Sequence, residues 1–363
     1  MPKNKTKDRN VFKYMILTTN HLKLVQTPFK RFNEILGGGL PLKTFIGVMG
    51  AAGHGKSIIL NELAVNAAKE LNGNILVVNT EEAEGLTNEM WAPAMAKKYG
   101  WKGEMFVEYA PNLISLLALH GITAGIFESK AKAVKGEEDE EESEEPKEGE
   151  KPAEGAPTSA KPVKEKKPQK PGKREIRPIS SDYAKSKLAD YIDRKNVKVI
   201  IYDSFTTPFT PLLAGGQQNL SLRNTSQALL FEAIRSILAG KEVFLLSSHH
   251  ITLNPMDPYK TREDIEMKGG KEILHTHKIV FYLEQSGSRY TSGVRSLYVV
   301  RHPMIPDWKY FVQLLLDNNG YKEVSEEEVR MMMAMAKAEL NERRKEKERL
   351  SRQKVKLPAP QKD

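Results

Sequence analysis

An α/β protein built on a mostly parallel sheet with helices on both sides is the fold class this sequence predicts, from three observations. Short, continuous apolar runs rich in β-branched residues alternate with longer amphipathic stretches, the pattern of doubly buried strands joined by helices. A glycine-rich motif of the phosphate-cradling kind stands between the first such run and the stretch after it. The alternation occupies 22–127 and resumes over 179–321, and both halves carry pieces of one motif set.

Phe45–Met49 reads as a short buried strand. Ser57–Leu71 follows as a helix, with apolar positions at Ile58, Leu60, Leu63, Ala64 and Ala67. Ile75–Asn79 and Met105–Tyr109 read as the next two strands. After the break, helix Asp182–Lys195 precedes strand Val197–Tyr202, and helix Gln227–Ala239 precedes strand Val243–Ser247. A further strand is expected over Ser296–Arg301. Strand–helix alternation of this kind implies parallel pairing with crossover helices.

Residues 128–178 are of another composition: an acidic block, Glu137–Glu150, then a Lys/Pro/Ala-rich block, Lys151–Arg177. Such a stretch has too little apolar surface to offset the entropy of ordering it. It is therefore expected as a disordered insertion within one domain. Residues 322–363 form a charged helix and tail. Ser325 and Glu328 make a capping box ahead of Val329, Met332, Met333, Ala336 and Leu340, a stripe at helical spacing. That stripe is expected to cover core surface; the alternative is a partner. Beyond Asn341 the run is mixed Arg, Lys and Glu, a solvated helix ended by Pro358 and Pro360.

Composition narrows the chemistry. There is no cysteine, which excludes disulfides, thiolate nucleophiles and Cys-based zinc sites. A net charge of +9 favours an acidic partner, with nucleic acid the first candidate. The extension 1–21 starts polar and lacks a signal-peptide pattern, and no apolar run is long enough to span a bilayer. A cytoplasmic protein without a membrane segment is expected.

The most specific signal is Gly50-Ala51-Ala52-Gly53-His54-Gly55-Lys56-Ser57, which runs from the first strand into the helix. The glycines allow a tight turn whose backbone N–H groups point at phosphate oxygens, and the helix N-terminus adds its positive dipole. Lys56 is expected on the β/γ-phosphates, Ser57 on Mg²⁺, and Ile58 beside them. His54, at a variable position of the motif, is expected to face solvent. A second carboxylate near the cation belongs at the end of a buried strand, and Asp203 after Val199-Ile200-Ile201-Tyr202 fits. Glu81, just past Ile75–Asn79, is the candidate to activate water, with Glu82 and Glu84 as rivals. ATP and Mg²⁺ are the expected ligands. His249 with His250, and His275 with His277, lack cysteine or carboxylate companions and are not read as a metal site.

Several segments, in order, resemble the RecA-type core of archaeal RadA recombinases and KaiC proteins. Asn33–Leu40 resembles the entry to that core. Asn79-Thr80-Glu81 is similar to the segment carrying the RadA catalytic glutamate, and Asp203–Thr207 to the RadA Asp-Ser-Leu-Thr. Gly269-Gly270 through Leu274–His277 looks like the end of the second DNA-binding loop of RadA. Arg301–Pro306 lies where both families place residues that reach ATP across a subunit interface. The chain departs from RadA in having only 1–21 ahead of the core, where RadA has a helix-hairpin-helix domain. The polar pair that senses γ-phosphate is replaced within Ser247–His250, and the KaiC Lys-x-Arg by Val299-Val300-Arg301.

The resemblance implies a RecA-like P-loop core, most like a RadA paralogue. It implies roles for Arg301 and His275 at a neighbour's ATP, and for Ser248 and His249 as phosphate sensors. Two loops are expected to hold DNA, Pro208–Leu222 and Thr252–Lys271. Arg223, Lys260, Arg262, Lys268 and Lys271 are the candidate contacts, and their Lys and Arg charges imply sequence-independent, salt-sensitive binding. The implied function is ATP binding and hydrolysis in support of recombination or repair, as a homo-oligomer or beside a recombinase, on single-stranded DNA. A KaiC-like regulatory ATPase that never touches DNA is the first alternative and a DnaB-type hexameric helicase the second.

Overall fold

The computed structural model describes residues 23–81, 85–128, 174–212, 216–252, 264–269, 271–285 and 293–354. A short β1 (Leu24–Val25) pairs antiparallel with β2 (Leu40–Pro41), and α1 (Lys30–Ile35) lies between them. Then come β3 (Phe45–Met49), α2 (Lys56–Glu70), β4 (Asn74–Asn79), α3 (Gly85–Tyr99), β5 (Met105–Tyr109) and α4 (Leu113–Leu119). After an antiparallel ribbon, β6 (Ile122–Glu128) with β7 (Arg174–Ser181), follow α5 (Lys187–Arg194) and β8 (Val197–Asp203). A 3-10 helix (Thr207–Leu212), α6 (Gly216–Leu238) and β9 (Phe244–His249) complete the parallel part but for one strand. The rest is β10 (Ile251–Thr252), β11 (Glu266–Met267), α7 (Lys271–Thr276), β12 (Ile279–Gln285), β13 (Val294–Arg301), β14 (Phe311–Asp317), β15 (Gly320–Val324) and α8 (Glu326–Lys354).

Nine strands form one sheet in the order β15-β14-β13-β12-β3-β9-β8-β4-β5. From β12 to β5 all neighbours are parallel, while β13, β14 and β15 add an antiparallel wing. Two strands separate β3 from β4, so the chain runs outward to β5 and returns inward through β8 and β9. Such a reversal opens a crevice at the carboxyl ends of the strands, where ligands of open α/β sheets bind.

Strand periodicity divides the core. Ile46, Val48, Val77 and Ile201 face α2 and α1; Phe45, Met49, Val78 and Tyr202 face α4, α5 and α6. Side chains alternate with a period of two, so the same count places every later strand-end residue on one side or the other. Gly47 shows how close the packing is: a Cβ there would lie 3.1–3.3 Å from His277, Met267 and His249.

Helix ends differ from the sequence reading for local reasons. The helix expected over Asp182–Lys195 begins only at Lys187, because Ser186 caps it by accepting from the Ala189 N–H. The one expected over Gln227–Ala239 starts eleven residues earlier, at Gly216, so the described residues of the loop expected over Pro208–Leu222 belong to a 3-10 helix up to Leu212 and to the first turns of α6. The Ser, Thr and Asn residues there are poor helix formers. Ser226 and Thr225 satisfy their hydroxyls on the Leu222 and Ser221 carbonyls at 2.7 and 3.0 Å, and Leu222 is buried in the core, which offsets the propensity.

The ribbon takes in Arg174–Pro178, which composition had grouped with the insertion. Glu128 pairs with Arg174 at its tip, and the charged insertion expected at 128–178 otherwise lies outside the described residues. Paired Cα atoms are about 5 Å apart, so a short turn can replace what lies between. Deleting residues 130–173 is expected to leave Tm within roughly 2 °C of wild type or slightly higher, since it removes no described core contact and shortens the connection between β6 and β7. A drop of more than about 5 °C by calorimetry would show the segment docked.

In α8 the capping box forms: Ser325 N–H donates to Glu328 at 2.7 Å, and Glu328 N–H to Ser325 Oγ at 3.2 Å. The stripe does not cover the core along its length. Val329 and Met332 pack on Val294 and Val324, whereas Met331, Met333 and Met335 are exposed. Among the described residues no helix is long and apolar enough to cross a membrane.

Candidate active site

The glycine-rich segment lies between β3 and α2 at the carboxyl edge of the sheet. Gly55 is the N-cap of α2, in the left-handed region at φ 92°, with no side chain capping the helix; the first-turn N–H groups are left to a ligand, with the dipole favouring an anion. A Cβ on Gly55 would lie 2.3 Å from the Tyr321 hydroxyl, and one on Gly50 2.7 Å from the Leu283 carbonyl oxygen. Glycine is thus demanded at Gly55 by φ and by its neighbour, and at Gly50 by its neighbour.

Those neighbours come from the antiparallel wing and from β12. The Arg295 Nε donates to the His54 carbonyl at 2.9 Å, and the Tyr321 hydroxyl reaches the Gly55 carbonyl at 3.4 Å. His54 does not simply face solvent: its Nδ1 is 3.1 Å from the Leu283 carbonyl. Tyr321 is in turn held by Glu62 of α2, a fully buried carboxylate that accepts from the Tyr321 N–H, Lys98 Nζ and the Tyr99 hydroxyl, each at 2.5 Å. The loop is braced from behind before any ligand binds.

Inside the loop, Lys56 is only 8% exposed and donates to the Ala51 carbonyl at 3.0 Å. Burial pushes its ammonium below the ordinary lysine range, opposed by the charges of Asp203 and Glu81. The Ser57 hydroxyl lies close enough to Asp203 to favour its ionised form. Burial raises the Asp203 carboxyl, while hydrogen bonds from Ser248 and Ser57 oppose the shift. A hydroxyl and a desolvated carboxylate side by side are the hard oxygen ligands that suit Mg²⁺.

Glu81 completes the cluster. Its Oε1 accepts from His250 Nε2 at 3.0 Å and from the Thr207 hydroxyl at 3.2 Å. These bonds, His250 first, hold its carboxyl below the ordinary glutamate range against the effect of burial. The Asn79 side chain accepts from the Glu81 N–H at 2.9 Å, and Thr80 is stitched to Asp203 and Ser204 through bonds of 2.7–2.9 Å. The turn after β4 is thereby fixed to the end of β8. Glu82 and Glu84 lie outside the described residues.

On β9, Ser248 bonds Asp203, but His249 points to the opposite face. It is buried against Phe205, with Nε2 2.8 Å from Ser247 Oγ and 3.2 Å from His277 Nε2. A phosphate-sensing role for His249 is therefore not supported; period-two alternation makes His250 the partner of Ser248 on the ligand side. Sequence reasoning missed His250, Thr207, Arg295 and Tyr321 as site residues. Alternation along β9 was the available signal for His250; none existed for the others.

The remaining candidates disperse. Arg223 sits within α6, half-buried, with its Nε buried and without a hydrogen-bond partner, a poor posture for a phosphate contact. Lys268 is half-buried beside β11 and its N–H donates to the His250 carbonyl at 2.8 Å. Lys271 opens α7, where His275 is exposed. Lys260 and Arg262 lie outside the described residues. Arg301 ends β13 opposite Val280, whose parallel partner on β3 is Gly47. It is thus at the far end of β12 from its own glycine-rich loop.

Comparison with known proteins follows the same lines. The family model described as "ATPase: KaiC" matches residues 25–137. Among solved structures, that of the RadB recombinase aligns with a TM-score of 0.50 at 12% identity, over 83% of this chain and 100% of that one. At that identity the likeness is one of fold. No curated protein sequence matches the chain.

Proposed function

We propose that this protein, whose residues 25–137 match the KaiC-type ATPase model and whose fold is similar to that of a RadB recombinase, binds ATP with Mg²⁺ and hydrolyses it in support of recombination or repair on single-stranded DNA. The observation that carries the reading is the convergence of Lys56, Ser57, Asp203 and Glu81 on one crevice, from three separate strand–turn units.

Each group has a distinct task. The N–H groups of Gly53 to Ser57 hold phosphate oxygens, and Lys56 supplies charge to the β/γ-phosphates. Ser57 and Asp203 would hold Mg²⁺, which when bound neutralises phosphate charge. Glu81 takes a proton from the attacking water; the water oxygen bonds the γ-phosphorus, and the bond to the bridging oxygen breaks, its electron pair leaving on ADP. Ser248 holds Asp203 in place. Glu81→Gln is expected to keep ATP affinity and slow turnover roughly tenfold or more; unchanged turnover in a steady-state assay refutes the assignment.

A second reading, a regulatory ATPase that switches protein contacts without DNA, is favoured by the KaiC-type match and by the posture of Arg223. ATP turnover measured with and without single-stranded DNA, together with oligomer mass, separates the two. Stimulation by DNA supports the first; ATP-dependent assembly indifferent to DNA supports the second.

A further inference from the structure

We propose that His250 is the positioning residue of the Glu81 carboxylate, clamping one oxygen so that the other alone is presented to water. The inference rests on the reading of Glu81 as the base.

The bonds to the Glu81 side chain from His250 Nε2 and the Thr207 hydroxyl both land on Oε1. Among the described residues nothing bonds Oε2. A carboxylate gripped at one oxygen by two donors has a defined plane and one open lone-pair set, the geometry a proton acceptor needs. The clamp is itself fixed. The His250 carbonyl accepts from the Lys268 N–H at 2.8 Å, and the next residue, Ile251, pairs with Met267. Ser248, two residues earlier on the same face, grips Asp203. One strand end therefore holds both carboxylates of the site.

An imidazole Nε2–H can donate to a carboxylate oxygen, the role the His250 ring takes toward Oε1. Other charges facing Glu81 are Lys56 from α2 and Asp203 from β8; Thr207 contributes only a hydroxyl. The side chains of His250 and Glu81 are 32% and 39% exposed, which leaves the pair an exit to solvent for the proton that Glu81 accepts. Because the His250 bond is the chief cause holding the Glu81 carboxyl low, removing it must raise that carboxyl. The base is active only when deprotonated, so the acid limb of turnover must move to higher pH.

Two readouts on the full-length protein test this. Carbon-13 carboxyl NMR would follow Glu81 titration in wild type, His250→Ala and His250→Gln, and kcat and KM for ATP would be measured across pH. The expected result for His250→Ala is an upward shift of the Glu81 titration, an acid limb displaced the same way, and kcat at neutral pH reduced about tenfold with KM little changed. His250→Gln, which retains a donor, should recover part of kcat. A Glu81 titration that does not move in folded His250→Ala protein overturns the proposal, and so does an unmoved acid limb; should the alanine variant not fold, failure of folded His250→Gln to change the pH profile does the same. If Glu81→Gln hydrolyses ATP normally while the NMR shift appears, the base assignment fails and the clamp stands.

Discussion

Lys56→Ala is expected to weaken ATP binding by about 30-fold or more, the equivalent of the 2–5 kcal/mol lost when one partner of a buried, hydrogen-bonded charge pair is truncated. In the ligand-free protein the amine serves no such purpose. It is buried, it donates to the Ala51 carbonyl, and burial depresses its proton affinity against the pull of Asp203 and Glu81. A lysine whose folded-state pKa lies below its unfolded value binds its proton less well on folding, so its charge opposes folding at neutral pH and the penalty disappears only as pH rises. The variant should therefore show no lower Tm without nucleotide, but should lose most of the Tm increase that ATP and Mg²⁺ give the wild type. Equal nucleotide affinity by titration calorimetry would sink the assignment of the glycine-rich loop.

Arg301→Ala should retain fold and ATP affinity and lose turnover, by about 10³-fold if the guanidinium stabilises charge on the transferring phosphate. Arg301 lies opposite Val280, level with Gly47 rather than with the loop after Met49. At roughly 3.3 Å per residue and 4.8 Å per strand, it is about 10 Å upstream of Gly50 and about 10 Å to the side. Any action on phosphate must then be on a neighbouring protomer's. Mixed oligomers of Arg301→Ala and Glu81→Gln should recover activity, because some interfaces pair an intact Glu81 with an intact Arg301. No recovery, with subunit exchange verified by mass, would rule out a shared site. His275, exposed on α7, faces the same test: a trans role requires that His275→Ala be rescued in the same way.

Within one protomer the site is assembled from residues of very different legibility. The loop from Gly50 to Ser57 was readable because its chemistry is contiguous: turn, glycines, lysine and hydroxyl occur in one stretch and impose their own geometry. Asp203 was readable because a buried run ending in a carboxylate is a local signal. The Glu81–His250 pair was not, since its members lie in units whose adjacency depends on strand order. Here β9 and β8 insert between β3 and β4, which puts the ends of β9, β8 and β4 side by side. The misassignment of His249 came from aligning a motif without counting its strand parity; Ser248 and His250 share a face, and His249 belongs to the core.

Local sequence therefore specified the alternating α/β plan, the glycine-rich turn into α2, the carboxylate at the end of β8 and the capping box of α8, since hydrophobic period, glycine freedom and capping chemistry all act over a few residues. It left open which residues brace the loop from behind. Arg295, Tyr321 and buried Glu62 do so across long separations, and nothing in their surroundings in the chain marks them. It also could not say how far the methionine stripe of α8 would dock, nor that Arg223 would turn inward. Those outcomes depend on which surfaces meet once the sheet has closed its order, and burial, unlike propensity, is a property of the assembled fold.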